Sequence, residues 1–364
     1  MTVKEVTSLL EELAPLHYAE DFDNVGLLVG NYDETVEGIL VTLDTLENVV
    51  DEAIEKKCNL IVSFHPIIFK GLKKITGRTY VERVVLKAIA NNISIYSMHT
   101  ALDNSPKGVN AKICEVLGIK KTSILIPKKN TIKKLTTYVP AERAESLRTE
   151  LFEVNAGNIG NYSNCSFSAE GIGTFKPGKH SNPTIGKIGE IQNQKETQLQ
   201  ITYASVHEKK VLETLFKHHP YEEVAYEIIT LENVNQNLGM GMVGQLENEM
   251  TEVDFLNYLK VKMNAKVVRH SILLNKPLKT VAVLGGSGAF GINAAIRAKA
   301  DIYVTSDIKY HEFYQAENKL IIADIGHFET EQFTKNLLVD FLTKKIPNFA
   351  VTLSESNTNP IKYF

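Results

Sequence analysis

Cysteine is scarce in this sequence: three in 364 residues, Cys58, Cys114 and Cys165, with no Cys-x-x-Cys. That excludes a disulfide framework, argues against a thiolate metal site, and reads as free thiols in a reducing compartment. Positive charge is not in excess either. The 40 Lys and Arg stand against 43 Asp and Glu, a formal net charge of -3, so no basic field draws nucleic acid or anionic lipid. No apolar run approaches the ~20 residues of a membrane-spanning helix. The first residues do not read as a secretory signal, and none is expected. Thr2-Val3-Lys4-Glu5 reads instead as a capping box opening an amphipathic helix through Val6, Leu9, Leu10 and Leu13. The expectation is a cytoplasmic protein without membrane or nucleic-acid partners. Gly-x-Ser-x-Gly is absent, and no cysteine is placed as a nucleophile.

What remains is an ordinary globular composition, 43% hydrophobic and 23% charged, long enough for two compact domains. Residues 1–126 alternate strand and helix signals. Gly38–Asp44 is a β-branched run, Leu46–Lys57 has helical spacing, and Asn59–Phe64 is a nearly continuous apolar run that suits a strand buried on both faces. Tyr80–Ala90 is again helical and Ile93–Met98 again a strand. This order predicts a mostly parallel sheet flanked by helices. From Pro127 the texture changes. A strand at Leu135–Val139, a helix at Ala141–Phe152, a Gly/Pro-dense stretch, a strand at Leu199–Ala204, a helix at Glu208–His218 and a strand at Val224–Leu231 suggest a split βαβ unit. The Gly-rich segment Asn233–Gly244 reads as a loop junction, after which the α/β texture returns. The expected organisation is an α/β core of residues 1–126 and 236–364, interrupted by an α+β insert at 127–235.

The chemistry sits in two His-x-x-x-carboxylate pairs, His99/Asp103 and His327/Glu331, together with His65. Residues four apart share one face of a helical turn. A strand running into that turn places both at the carboxyl end of the sheet, where open α/β folds keep ligands. Imidazole with carboxylate and no thiolate suits Zn, Mn, Fe(II) or Ni. Five donors exceed what one catalytic ion uses while keeping an open position, so two divalent ions are expected. Gly285-Gly286-Ser287-Gly288 follows a strand; its amides are open to an anion, or it is a bare turn. It fits neither GxxxxGK[ST] nor GxGxxG. Asp307 and His311 repeat the four-residue spacing, either as groups that orient ligands or as a helix start. Asp21-Phe22-Asp23-Asn24 reads as a turn near the site mouth, and His218-His219 as a helix end.

The segments DFDNVGLLVG, SFHPIIF, MHTALDN, VAVLGGSGAF, SDIKYHEF and IADIGHFETE together resemble the Nif-three-like family, also known as GTP cyclohydrolase I type 2. The resemblance covers Met1–Ile126 and Leu238–Phe364. It implies a two-lobed α/β core, a dinuclear centre and a toroidal homohexamer. Carried over residue by residue, the metal ligands are His65, Asp103, His327 and Glu331, with His99 a further ligand or polar neighbour. It implies a metal-dependent hydrolase of a nucleotide or related ring compound, with His99 or Glu331 handling protons. The alternative is a metal-binding regulatory protein whose insert senses a small ligand or binds a partner. One departure stands out: many members carry two consecutive histidines where this chain has Phe64-His65, so the second ion is expected to be held more weakly. The insert resembles the CutA/PII-like ferredoxin fold, which commonly trimerises and here would cap the openings of the ring.

Overall fold

A computed structural model describes residues 1–364, which divide into two units, Met1–Pro127 with Gln236–Phe364, and Lys128–Asn235. The first lobe of unit one runs α1 (Val3–Leu13), β1 (Gly26–Val29), β2 (Ile39–Thr42), α2 (Glu47–Glu55), β3 (Leu60–Ser63), α3 (Tyr80–Ala90), β4 (Ser94–Ser97), α4 (His99–Asn104) and α5 (Val109–Val116). Strand β5 (Lys120–Lys128) leads out of it. The insert contains β6 (Ile132–Pro140), α6 (Ala144–Glu153), β7 (Phe167–Phe175), β8 (Gln192–Ala204), α7 (Glu208–His218) and β9 (Tyr226–Thr230). The chain returns through β10 (Asn235–Met250) to the second lobe: α8 (Glu252–Lys262), β11 (Arg269–His270), β12 (Leu278–Ser287), α9 (Ile292–Arg297), β13 (Ile302–Ser306), β14 (Ile321–Asp324), α10 (His327–Glu331), α11 (Thr334–Lys345) and β15 (Val351–Leu353). No helix is long and apolar enough to cross a membrane.

Each lobe of unit one is a sheet with a parallel centre. The first has order β1-β4-β3-β2-β15, parallel from β4 through β15; the second has order β11-β14-β13-β12-β10-β5, parallel across β14, β13 and β12. Alternation along the strands shows why both faces are apolar. Ile39, Val41, Leu60, Val62, Val281, Val283, Ile302 and Val304 point into one core shared by the lobes, together with Leu10 of α1, Ile113 of α5, Phe255 of α8 and Leu338 of α11. The intervening Leu40, Ile61 and Ile95 pack instead on α2 and α3. Their counterparts Ala282, Leu284, Tyr303 and Ile322 pack on α9. Burying each such branched side chain stabilises the fold by about 1.5–3 kcal/mol. The capping box is present at the start of α1, with the Thr2 side chain accepting from the Glu5 amide and the Glu5 carboxylate from the Thr2 amide.

The junctions differ from the expected loops. Both are strands, β5 and β10, and the glycines of β10 serve close approach rather than a turn. A Cβ on Gly239 would lie 2.1 Å from the Ile126 carbonyl oxygen, and one on Gly244 2.6 Å from that of Lys120. Gly239-Met240-Gly241-Met242-Val243-Gly244 thus has Gly-x-Gly-x-x-Gly spacing inside a strand, where it cradles neighbouring backbone and no phosphate. The Gly/Pro-dense stretch of the insert also hides an edge strand, β7, paired antiparallel along its whole length with β8. The insert sheet has order β7-β8-β6-β9, all antiparallel, with α6 and α7 packed on one face through Leu135, Leu199, Ile201, Leu147 and Val211. That is the ferredoxin-like split βαβ topology.

Candidate metal centre

Parallel strands deliver the chemistry to one end of each sheet. β2 is followed by Asp44, β3 by His65, β4 by His99, β13 by Asp307 and β14 by His327. The turns into these residues depart from ordinary backbone. His99 has φ 22°, Asp307 φ 56° and Gly326, which caps α10, φ 98°. Left-handed non-glycine residues each cost about 1–3 kcal/mol and gather where a site must be held.

Three donors converge. The Nε2 atoms of His65 and His327 both lie 3.2 Å from Oε2 of Glu331, and the ligand atoms of these three residues lie within 4.8 Å of one another. Neither imidazole makes an aligned hydrogen bond to that oxygen, which is buried and otherwise unpartnered. Each histidine is tied at its other nitrogen to a carboxylate: His65 Nδ1 to Asp44 at 2.8 Å, His327 Nδ1 to Asp307 at 2.7 Å, and His99 Nδ1 to Asp23 at 2.8 Å. A carboxylate on Nδ1 fixes the tautomer that leaves Nε2 as the ligand atom. Asp23 further accepts from the amide and hydroxyl of Thr100, and Asp44 from the hydroxyl of Thr358 at 2.6 Å.

Asp103 and His99 complete the pocket without joining that triplet. Asp103 is half-buried, and its Oδ1 is shielded from solvent with no hydrogen-bond donor. The His99 ring centroid is 5.3 Å from that of His65, and the His65 and His327 rings are 5.5 Å apart. Phe64, fully buried, lies tilted against His65 at 4.8 Å and edge-on to His99 at 5.6 Å.

The protonation pattern without an ion describes what the site wants. Burial pushes the His65 pKa down, but the hydrogen bond to Asp44 and the nearby Glu331 carboxylate raise it to about 10. His327 rises against burial to about 9, through Glu331 and Asp307. Burial raises Glu331, yet the imidazoles of His327 and His65 bring it down to about 2. Asp103 has no such partner; burial, and next the charge of Glu331, hold its pKa well above the usual range. The pocket therefore gathers protons where positive charge is called for. Two imidazoles aimed at one carboxylate oxygen, beside an orphaned buried carboxylate, fit a divalent cation.

The Gly285–Gly288 segment has a different role from anion binding. Gly285 and Gly286 lie inside β12, and their amides donate to Asn110 Oδ1 at 3.0 Å and Thr330 Oγ1 at 2.9 Å. A Cβ on Gly286 would sit 2.5 Å from Glu331 Oε1 and 3.5 Å from His327 Cε1. The glycine pair is a floor that lets the Glu331 carboxylate approach. Asp307 orients His327, whereas its spacing partner His311 stacks with Tyr310 and Tyr314 and takes no part. His218 and His219 do not form a pair: His218 faces Glu150, and His219 bonds the Tyr138 carbonyl. The sequence reading passed over Asp44 and Thr358. Asp44 lies in the bend just after a strand and carries no motif, while Thr358 lies in the C-terminal tail with no spacing signal at all.

A family model described as Duf34/NIF3 (NGG1p interacting factor 3) matches residues 1–360. A Bacillus subtilis protein named GTP cyclohydrolase 1 type 2 homolog is 37% identical, over 99% of this chain and 98% of that protein. A Staphylococcus aureus protein of the same name is 34% identical over 100% of both. The crystal structure of a Bacillus cereus protein related to NIF3 is 36% identical and aligns over 100% of this chain and 99% of that one, with a TM-score of 0.80.

Proposed function

This chain belongs to the Duf34/NIF3 family, and on that premise we propose that it is a divalent-metal-dependent hydrolase acting on a nucleotide or related ring compound. The observation that carries the reading is the convergence of His65 Nε2 and His327 Nε2 on Glu331 Oε2, each at 3.2 Å, with every imidazole backed by a carboxylate. His65, His327 and Glu331 would hold one ion, a His/His/carboxylate set that suits zinc and accepts iron, manganese or nickel. Asp103 and His99 would hold the second with a share of Glu331. A bound divalent ion supplies Lewis acidity and lowers the pKa of water it binds towards ~7.

The chain's own groups would do the rest. Asp44 and Asp307 hold two imidazoles in the ligating tautomer. His99 is held at Nδ1 by Asp23, so its Nε2 is the atom able to take or give a proton. Asp23, brought down to about 2 by His99 and Thr100 against its burial, stays ionised and supports a proton arriving on that ring. The name shared by the relatives, GTP cyclohydrolase 1 type 2 homolog, supports hydrolysis of a ring C–N bond as the reaction class.

The deciding experiment is metal analysis of untagged protein, paired with turnover of GTP by wild type, His65→Ala and Glu331→Ala. The expected result is bound metal and turnover in wild type alone; equal rates in all three sink the reading. Phe64→His adds a donor beside His65 and His99, and is expected to raise bound metal towards two ions per chain. An unchanged metal count would show that Phe64 does not set the occupancy of the second position.

A further inference from the structure

The insert contains a cavity that shares no residue with the metal centre. It measures about 670 Å³, within the ~300–1,000 Å³ of small-molecule sites. It opens on the sheet face away from α6 and α7. Leu199 and Ile201 of β8 point to the helices, whereas Glu196 and Gln198, of opposite parity, line the cavity. Across the sheet, Gln198 stands opposite Tyr138 on one side and Ala169 on the other, and Glu196 opposite Gly171. The wall from β7 is thus kept low. A Cβ on Gly171 would meet nothing within 4 Å, while one on Gly173 would fall 1.9 Å from Glu196 Oε2.

Glu196 is the chemical centre of this space. It is only 9% exposed, its Oε1 accepts from the Tyr221 hydroxyl at 2.7 Å, and its Oε2 takes no donor from the protein. A carboxylate at this depth with one oxygen unspent needs a donor, and a charged one satisfies it best. The surrounding charge has the same sign: Glu222 and Glu223 also line the cavity, against Lys176 alone. The rings of Phe175 and Tyr221, 6.0 Å apart, and that of Tyr138 supply aromatic faces of the kind that attract cations.

We propose that this cavity binds a small organic cation with a planar apolar body, its ammonium or amidinium group on the free oxygen of Glu196 and its body against Tyr138, Phe175 and Tyr221. Phosphorylated or carboxylated ligands are disfavoured by Glu196, Glu222 and Glu223. The site is independent of the metal reading, since all its residues belong to the insert.

The test uses the full-length chain titrated with benzamidine, and with benzoate as the anion of matching shape, followed by calorimetry and by the chemical shifts of the insert. Benzamidine is expected to bind saturably at one site per chain and benzoate not to bind. Glu196→Gln should weaken benzamidine at least tenfold while metal content stays unchanged. Gly171→Leu fills the space with Glu196 intact and should abolish binding, so a misfolded Glu196→Gln would not remove the test. Unsaturable benzamidine, benzoate binding as tightly, or wild-type affinity in a folded Glu196→Gln would each overturn the proposal.

Discussion

The candidate metal centre of the core and the cavity of the insert both rest on a buried glutamate, yet they treat it differently. Glu331 is approached from two sides by imidazoles whose far nitrogens are already committed to Asp44 and Asp307, and a glycine strand lies directly beneath it. Glu196 has one oxygen bound by a phenol and the other without a protein donor, close over Gly173 and beside the open space at Gly171. The first arrangement fixes geometry for a small ion; the second leaves space for a body of some size. Rigid positioning by outer hydrogen bonds is what a metal requires, and vacant volume with a directed charge is what an organic ligand requires.

The largest effect expected on this comparison comes from Glu331→Gln. It removes the one charge that faces both imidazoles, and metal affinity should fall by more than ~100-fold, measured by metal content after dialysis against a buffered ion. Retained metal would mean that Asp103 and His99 carry the site and that Glu331 is not its centre.

Next come the two glycines. Gly286 has φ 72° and a Cβ there would press on Glu331 Oε1, so Gly286→Ala should cost about 2–4 kcal/mol. Gly171 has open space around its Cβ, and Gly171→Ala should stay within about 0.5 kcal/mol. Urea unfolding of both variants measures the contrast. Equal costs would erase the distinction between a fitted floor and a vacant wall.

The third test is pH. His65 and His327 in the metal-free chain are raised to about 10 and 9, above the ordinary histidine value of 6.5. Groups raised in this way contribute stability that is complete below pH 6.5 and lost as pH climbs through 9 to 10. The metal-free chain should therefore lose stability from neutral pH towards 10, while a bound ion, which takes the place of those protons, should remove that loss. Uptake at pH 7 should release about two protons per ion, so apparent affinity should climb with pH over the same window. Thermal unfolding with and without metal, at pH 7 and 9.5, reads it directly. A metal-free chain as stable at 9.5 as at 7 would contradict the charge balance drawn here.

How much of this was legible follows from how the groups are encoded. His65, His99, Asp103, His327 and Glu331 stood out because strand-end placement and four-residue spacing are local facts; the structure brings His65, His327 and Glu331 together and sets the His99 ring beside that of His65. The groups behind them are not local: Asp23 reaches His99 across 76 positions, and Thr358 reaches Asp44 across 314. The same holds for the insert cavity, where Tyr138, Glu196 and Tyr221 meet only after the sheet forms. The nearly continuous apolar run of β3, between the β-branched run of β2 and the strand signal of β4, announced a sheet buried on both faces. Glycine in β7 and β10 concealed strands, because its usual meaning is a turn, and here it means that another group needs the space.

The smallest expected effect tests how far the rigid arrangement extends. The tail after β15 is anchored by Glu52, which accepts from Ser354 Oγ at 2.6 Å, the Glu355 amide at 2.8 Å and the Ser356 amide at 3.1 Å. Two residues further on, Thr358 donates to Asp44 Oδ2, and Asp44 Oδ1 holds His65. Thr358→Val keeps the shape and removes one hydrogen bond, a change of about 0.5–1.5 kcal/mol. If that energy reaches the ligand, metal affinity should drop by about 2–10-fold, with unfolding in the metal-loaded state shifted accordingly. A variant that loses stability equally with and without metal would confine Thr358 to holding the tail. One that loses it mainly with metal bound would place the tail among the groups that position His65, as distant in sequence from the ligand as any residue of the chain that acts on it.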